Sequence, residues 1–293
     1  MNTNGTSFTP LLTTRDWNAE WMELQKARRK ADVAAFWNKK SATFGSKDAP
    51  SHYVTEFLRL VDLRPDETVF DMGCGNGALA IPFAQDGHFV LACDFSQGML
   101  DSLALTRAEK GLEDQIQTKL MSWEDDWEAF GITPKSADVA IASRSIATSN
   151  LKDSLMRLNA VARRKVAITL TTGASPRSDE RVLTALGLQN NIGRDYLYAF
   201  NILAQEGLSP SINYIKSTRE DCFDSFEDAY ASLSRMVEDV TASLSQQDKE
   251  TALERLESWL QDDLVPFEDN GRKRLRLSKP RTVMWALISW ETN

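Results

Sequence analysis

The sequence predicts an α/β protein built on a mostly parallel sheet, and three observations carry that prediction. The stretch from Glu67 to Leu103 reads in order as strand, glycine-rich turn, helix, strand and acidic turn, which is one βαβ unit. Short apolar runs then alternate with helical patterns as far as Ile215, the arrangement of a sheet with helices on its faces. The final run, Thr282 to Trp290, has too many apolar residues in sequence for a strand with one wet face, so it belongs inside the sheet.

At 293 residues the chain can bury an ample core, and 42% apolar with 26% charged residues is the balance of an ordinary soluble globular protein. A net charge of −8 disfavours broad attraction to nucleic-acid phosphates or anionic lipid, so small-molecule substrates fit better than nucleic acid. Cys74, Cys93 and Cys222 form no CxxC pair, and only His52 and His88 could assist them. No metal site and no disulfide framework is therefore expected. No apolar run approaches the roughly 20 residues of a membrane span. The first residues, MNTNGTSFTPLLTT, lack the basic and apolar regions of a signal peptide, so the expected address is the cytoplasm.

In chain order, residues 1 to about 13 read as a polar tail, and a helix is expected from Thr14, with Trp17, Trp21 and Leu24 at helical spacing. Its basic run, Lys26, Arg28, Arg29 and Lys30, reads as a solvated face. Phe36, Trp37, Asn38, Lys39, Lys40 and Phe44 follow, and then a helix from Ser51 buries Val54, Phe57, Leu58 and Val61 before Arg64 and Pro65 end it. Thr68 to Met72 is the first strand. The turn Gly73, Cys74, Gly75, Asn76, Gly77 comes directly after it. Glycine there permits a tight turn and lets backbone N–H groups approach a ligand. Pro82 is expected to bend the helix that this turn opens, or to displace one of its hydrogen bonds.

The second strand, His88 to Cys93, ends in Asp94, 23 positions after Asp71. That is close to the roughly 20-residue offset at which an acid accepts hydrogen bonds from a ribose. Ser96 is placed to cap a helix that buries Met99, Leu100 and Leu103 and stops at Gly111. Ile116 to Met121 and Ser136 to Ser143 are the next strands. Arg144, just past the second of these, is a substrate candidate or the partner of a nearby acid. A helix from Lys152 to Ala162, a strand from Lys165 to Leu170, a helix from Asp195 to Gln205 and a strand from Ser211 to Ile215 complete the alternation.

Two amphipathic helices follow, one from about Ser225 and one from about Ser245. They read as a lid on the sheet edge with a pocket beneath. Lys273 to Leu277, the turn Ser278, Lys279, Pro280, and Thr282 to Trp290 read as a hairpin. The expected organisation is thus a tail and helical cap over 1–50, a cofactor-binding core over 51–216, a helical insertion over 217–270 and a hairpin over 271–293.

The glycines alone leave the cofactor open, because Gly73, Gly75 and Ala78 also satisfy the GxGxx(G/A) pattern of nicotinamide enzymes. The wider frame, Asp71-x-Gly73-x-Gly75-x-Gly77 with Asp94 ending the next strand, resembles motif I and the following acidic motif of class I S-adenosylmethionine-dependent methyltransferases of the small-molecule type. That resemblance implies a Rossmann-like sheet with an antiparallel last strand, and methyl transfer from S-adenosylmethionine to a small-molecule acceptor, leaving S-adenosylhomocysteine. It implies that Gly73, Cys74, Gly75 and Gly77 shape the turn around the amino-acid portion, that Asp71 attracts its ammonium group and that Asp94 takes the ribose hydroxyls. Phe95, Ser96, Met99 and Ser143 join the same cofactor site.

The acid that often holds the adenine amino group is replaced here by Ser122, so its hydroxyl or the Glu124 carboxylate is expected in that role, with backbone near Trp123. Trp37 and Phe44 lie in a segment resembling the one that closes over the cofactor, and with Arg144 and Tyr198 they are the substrate candidates. No residue announces itself as a general base. The Asn/Asp-Pro-Pro-aromatic turn of many base-modifying relatives is replaced by SRSIA. An NAD-dependent oxidoreductase and a noncatalytic cofactor-binding scaffold are the alternative readings.

Overall fold

The computed structural model describes residues 16–28, 34–41, 51–146, 148–173, 179–188, 194–241, 244–269 and 271–292. Three helices lead in: α1 (Trp17–Arg28), α2 (Ala34–Lys40) and α3 (Ser51–Val61). The βαβ unit is β1 (Val69–Met72), α4 (Ala80–Gln85) and β2 (Val90–Asp94). Then come α5 (Gln97–Glu109), β3 (Ile116–Leu120), β4 (Ala137–Ser143), α6 (Leu151–Val161), β5 (Ala162–Thr171), α7 (Glu180–Ala185), α8 (Asp195–Gln205) and β6 (Ser211–Arg219). The remainder is β7 (Cys222–Phe223), α9 (Phe226–Val240), α10 (Gln246–Asp263), β8 (Leu264–Asp269), β9 (Arg272–Leu277) and β10 (Arg281–Glu291).

Seven strands form the main sheet in the order β3-β2-β1-β4-β5-β10-β6. Strands β1 to β5 pair in parallel, whereas β10 runs antiparallel to both β5 and β6. The period-2 alternation of side chains splits each central strand between two cores. Phe70, Met72, Ala140, Ala142, Val166, Ile168, Ile288 and Trp290 face one core, covered by α1, α6 and α8. Val69, Val139, Ile141, Ala167, Trp285 and Leu287 face the other, covered by α3, α4 and α5. With both faces occupied, a strand must be apolar throughout, which is why β10 could enter this sheet.

Caps set several helix starts. The side chains of Ser96, Asn150, Ser225 and Ser245 accept hydrogen bonds from backbone N–H groups of α5, α6, α9 and α10. Helix α7, from Glu180, is an addition to the elements expected from sequence.

Three expectations need correction. Pro82 requires no bend, because the turn extends to Leu79 and α4 begins only at Ala80. Pro82 is therefore in the first turn of α4, and what it removes is the single bond between those of Ile81 to the Gly77 carbonyl at 3.0 Å and Phe83 to the Leu79 carbonyl at 3.2 Å. The C-terminal hairpin does not form as expected. β9 pairs with β7 and β8 in a separate three-stranded sheet, and β10 pairs with β5 and β6. β9 carries Arg272, Lys273, Arg274 and Arg276, with only Leu275 and Leu277 on its apolar side, which suits a sheet with one wet face and would be costly between two buried strands. The α9–α10 pair is likewise not packed on the main sheet as a lid. It joins α7 and the small sheet around a third core of Val182, Leu186, Phe223, Leu233, Val237, Leu256, Leu260 and Leu277.

Candidate functional site

A cleft opens beyond the carboxyl ends of β1, β2 and β4, where the strand order reverses between β1 and β4. The first turn contributes Asp71, Met72, Gly73, Cys74, Gly75, Asn76, Ala78 and Leu79. Asp94, Phe95 and Met99 come from the end of β2 and the start of α5, and Met121, Ser122 and Trp123 from the end of β3. Ser143, Arg144 and Ser145 close the β4 side, and Trp37 of α2 reaches in from the lead-in segment. Among the described residues of 217–270, none lines this cleft.

Glycine is required at Gly73 on two counts. Its φ is 75°, and a Cβ there would lie 2.3 Å from the Cβ of Ser145. The Ser145 hydroxyl donates to the Met72 carbonyl at 2.7 Å, which fixes the wall that presses on the turn. Gly77 serves packing instead. With φ 86°, its missing Cβ makes room for the Leu103 side chain of α5, so it seats the turn on that helix and is not among the lining residues.

The electrostatics of the cleft are dominated by two buried acids. Asp71 is 2% exposed and Asp94 is 5% exposed. Asp94 accepts from the backbone N–H groups of Gly75 at 2.8 Å and Ser96 at 2.9 Å. Burial still raises its carboxyl above the ordinary range, with the bonds from Ser96, Gly75 and Phe95 acting the other way. Burial first, and then the charge of Asp94, pushes Asp71 up to about 8. The same burial raises the thiol of Cys74 and takes Cys93 up to about 12, which makes neither a nucleophile at neutral pH. The arrangement favours a ligand that brings positive charge to Asp71 and hydroxyl donors to Asp94.

Helix α2 is tied to this site by Asn38, a residue absent from the candidates drawn from sequence. Asn38 Oδ1 accepts from Ser96 Oγ at 2.7 Å and from the Gly98 backbone N–H at 3.0 Å. A Cβ on Gly98 would meet Ser41 Oγ at 2.8 Å and the Asn38 backbone at 3.1 Å, so only glycine lets the two helices approach this closely. An asparagine inside a basic stretch gives no local signal of such a contact.

Arg144 has φ 59° and its backbone N–H donates to Thr169 Oγ1 at 3.0 Å. Its guanidinium lies 4.4 Å from the ring centroid of Tyr53 and 5.8 Å from that of Trp285. Buried Tyr53 of α3 is held in turn by hydrogen bonds to Ser143 Oγ at 2.7 Å and Thr169 Oγ1 at 2.9 Å.

The remaining sequence candidates divide. Ser122 and Trp123 line the cleft, and the Trp123 indole donates to the Ser145 carbonyl at 3.1 Å. Glu124 is exposed and Ser96 is fully buried as the cap of α5, and neither is among the lining residues. Tyr198 is elsewhere: its ring meets those of Trp17 and Trp21 edge to face and its hydroxyl donates to Glu20 at 2.9 Å, so it fastens α8 to α1. Phe44 lies outside the described residues. Met72, Asn76, Ala78, Leu79, Met121 and Ser145 line the cleft without having been candidates. All but Leu79 adjoin a residue that was, and for Met72, Met121 and Ser145 the strand-end position was the available signal. His88 bonds the Glu67 carbonyl at 2.9 Å, a structural role. Among the described residues, no cluster of His, Cys, Asp and Glu could hold a metal ion.

Comparison with known proteins agrees with this geometry. A family model described as a methyltransferase domain matches residues 69–165, from β1 into β5. An uncharacterized protein of Haemophilus influenzae is 34% identical over 261 residues, spanning 88% of this chain and 89% of that protein. A demethylmenaquinone methyltransferase of Streptomyces avermitilis is 42% identical over 45 residues, 15% of this chain and 20% of that enzyme. The solved structure of YcgJ from Bacillus subtilis superposes with a TM-score of 0.52 at 13% identity, covering 83% of this chain and 99% of that one. YjhP from E. coli does so with a TM-score of 0.51 at 10% identity, covering 89% and 100%. These last two likenesses speak to fold alone. With the glycine frame, the inserted antiparallel strand and the matched domain all in one chain, residues 69–165 form a methyltransferase domain of the class I S-adenosylmethionine-dependent kind.

Proposed function

We propose that the cleft beyond β1, β2 and β4 holds S-adenosylmethionine and directs its methyl group onto a small-molecule acceptor in the cytoplasm. The observation that carries the site assignment is the pair of buried acids, Asp71 and Asp94, beside a turn that has no room for a Cβ at Gly73. When bound, the cofactor supplies a methyl group already activated on a sulfonium. The chain's own residues then have to orient and enclose rather than activate. Asp71 would give up its proton and pair with the ammonium group of the amino-acid portion. Asp94 would accept from the ribose hydroxyls, with its carboxylate already aimed by the Gly75 and Ser96 N–H groups. Phe95, Met99 and Met121 offer apolar walls for the adenine, and Ser122 a hydroxyl at its edge. Trp37, brought in by α2, would exclude water from above. A pyrophosphate beside the turn would oppose ionisation of both acids, whereas an ammonium group favours it, which argues against a dinucleotide.

Thermal unfolding with S-adenosylmethionine, S-adenosylhomocysteine and NAD in turn tests the assignment. A ligand at 100 times its Kd stabilises the native state by about 2.7 kcal/mol. Stabilisation by both adenosyl compounds and not by NAD is expected. Stabilisation by NAD alone, or by none of the three, would overturn it.

A further inference from the structure

We propose that the acceptor is an organic acid whose carboxylate or phosphate is gripped by Arg144. The proposal rests on the methyltransferase reading of the cleft and adds the chemical class of its second ligand. Its starting point is where the guanidinium lies. Asp94 ends β2, on one side of β1, whereas Trp285, 5.8 Å from the guanidinium, belongs to β10, three strands to the other side of β1. At roughly 4.8 Å per strand, β10 is some 19 Å from β2. The guanidinium of Arg144 thus lies toward β5 and β10, on the other side of β1 from Asp94, and Arg144 lines the β4 side of the cleft, which is the side left for an acceptor.

Arg144 is also held with more structure than a surface arginine needs. A non-glycine residue at φ 59° sits in the left-handed region, which L side chains rarely adopt. The bend is stabilised by the Thr169 hydroxyl, which accepts the Arg144 N–H and also bonds Tyr53. The Tyr53 ring then lies against the guanidinium at 4.4 Å. A stacked aromatic ring engages the flat face of a guanidinium, while its N–H donors point outward in the plane, in the fork that fits a carboxylate or phosphate. Asp71 is not the group served by this charge, since burial and Asp94 leave its carboxyl raised. The net charge of −8 makes general attraction of an anion unfavourable, so recognition of an acid needs one fixed cation.

The decisive experiment is calorimetric titration of the protein saturated with S-adenosylhomocysteine, using matched acid and amide probes: benzoate against benzamide, succinate against succinamide, and phenyl phosphate against phenol. At least one acid should bind about tenfold or more tightly than its neutral partner, as expected for a charge-assisted fork. In Arg144→Gln that ratio should collapse to about one, with Arg144→Lys between the two, because an ammonium keeps the charge and loses the fork. The ratio is read within each variant, so a change in cofactor affinity cancels. No acid preference in the native protein, or a preference that survives in Arg144→Gln, overturns the proposal. So does a loss of S-adenosylhomocysteine affinity of about tenfold or more in Arg144→Gln, which would assign the residue to the cofactor's own carboxylate. Failure of the native protein to bind S-adenosylhomocysteine at all is a separate result that removes the underlying reading and this proposal with it.

Discussion

Asp71 in the cleft and Asp179 at the start of α7 are both 2% exposed, yet they live in opposite electrical surroundings. Burial is the largest influence on each. At Asp179 it is outweighed by Arg181, whose Nε donates at 3.0 Å and whose guanidinium also bonds Asp221 at 2.7 Å, and the carboxyl falls below its ordinary range. At Asp71 the neighbouring charge is another carboxylate, and the group rises to about 8. The small sheet shows the first pattern more widely, with Arg274 joined to Asp224 and Asp269, and Arg276 to Glu220. One region has its charges balanced by its own chain. The other buries two acids whose carboxyls are raised, which fits the cofactor site proposed for the cleft.

The largest effect expected from this contrast is on stability at Asp179. Asp179→Ala empties a buried acid site, leaves the half-buried Arg181 with Asp221 alone as its acid partner and removes a helix cap, so unfolding by urea should show a loss of about 3 kcal/mol. Affinity for S-adenosylhomocysteine should move by less than about twofold, since additivity holds for distant sites. Asp94→Ala should reverse the pattern, with affinity down about 100-fold by calorimetry, the value of two lost hydrogen bonds to a charged acceptor, and a native circular dichroism spectrum. Undiminished binding would mean that the cleft acids are structural, and the contrast would fail.

Proton linkage sharpens the comparison next. The carboxyl of Asp71 is raised from an ordinary value of 3.8 to about 8 in the folded chain. Its contribution to the ligand-free protein is fully present below the ordinary value and is lost as pH rises toward about 8, at up to about 1.4 kcal/mol per pH unit. A cationic ligand needs the ionised form, so affinity for S-adenosylhomocysteine should strengthen by up to about tenfold per pH unit over the same window. Both slopes should become shallower in Asp71→Asn, leaving only what Asp94 and the other shifted acids contribute, and a pH-independent affinity in the native protein would refute the ammonium pairing. The smallest effect concerns α2. Asn38→Ala removes two hydrogen bonds that hold Trp37 over the cleft, worth about 1 kcal/mol, and should weaken the same ligand about fivefold.

How far the sequence can be read depends on how local each signal is. The frame from Asp71 to Asp94 and the caps Ser96, Ser225 and Ser245 are short-range chemistry, and the structure has the turn, strand and helix starts where that chemistry puts them. Pro82 misleads because the glycine turn takes up residues to Leu79 before a regular helix begins. Pairings across long separations leave no local trace. The partners of β9 cannot be inferred from its own pattern, since the adjacent turn resembles that of a hairpin whichever sheet each arm joins. Tyr198 is a candidate for its chemistry alone, while its partners Trp17, Trp21 and Glu20 sit at the other end of the chain. Asn38 escapes for the same reason, being tied to Ser96 across 58 positions.

The insertion of β10 between β5 and β6 has a consequence for how the chain must be made. Synthesis runs from the N-terminus, so β5 is complete at Thr171 while its neighbour in the sheet does not begin until Arg281. At ribosomal rates that interval is on the order of ten seconds, during which β5 presents an apolar, unpaired edge and β6 has no strand to join. The newborn chain therefore passes through a window in which an apolar strand edge is open to pairing with another chain.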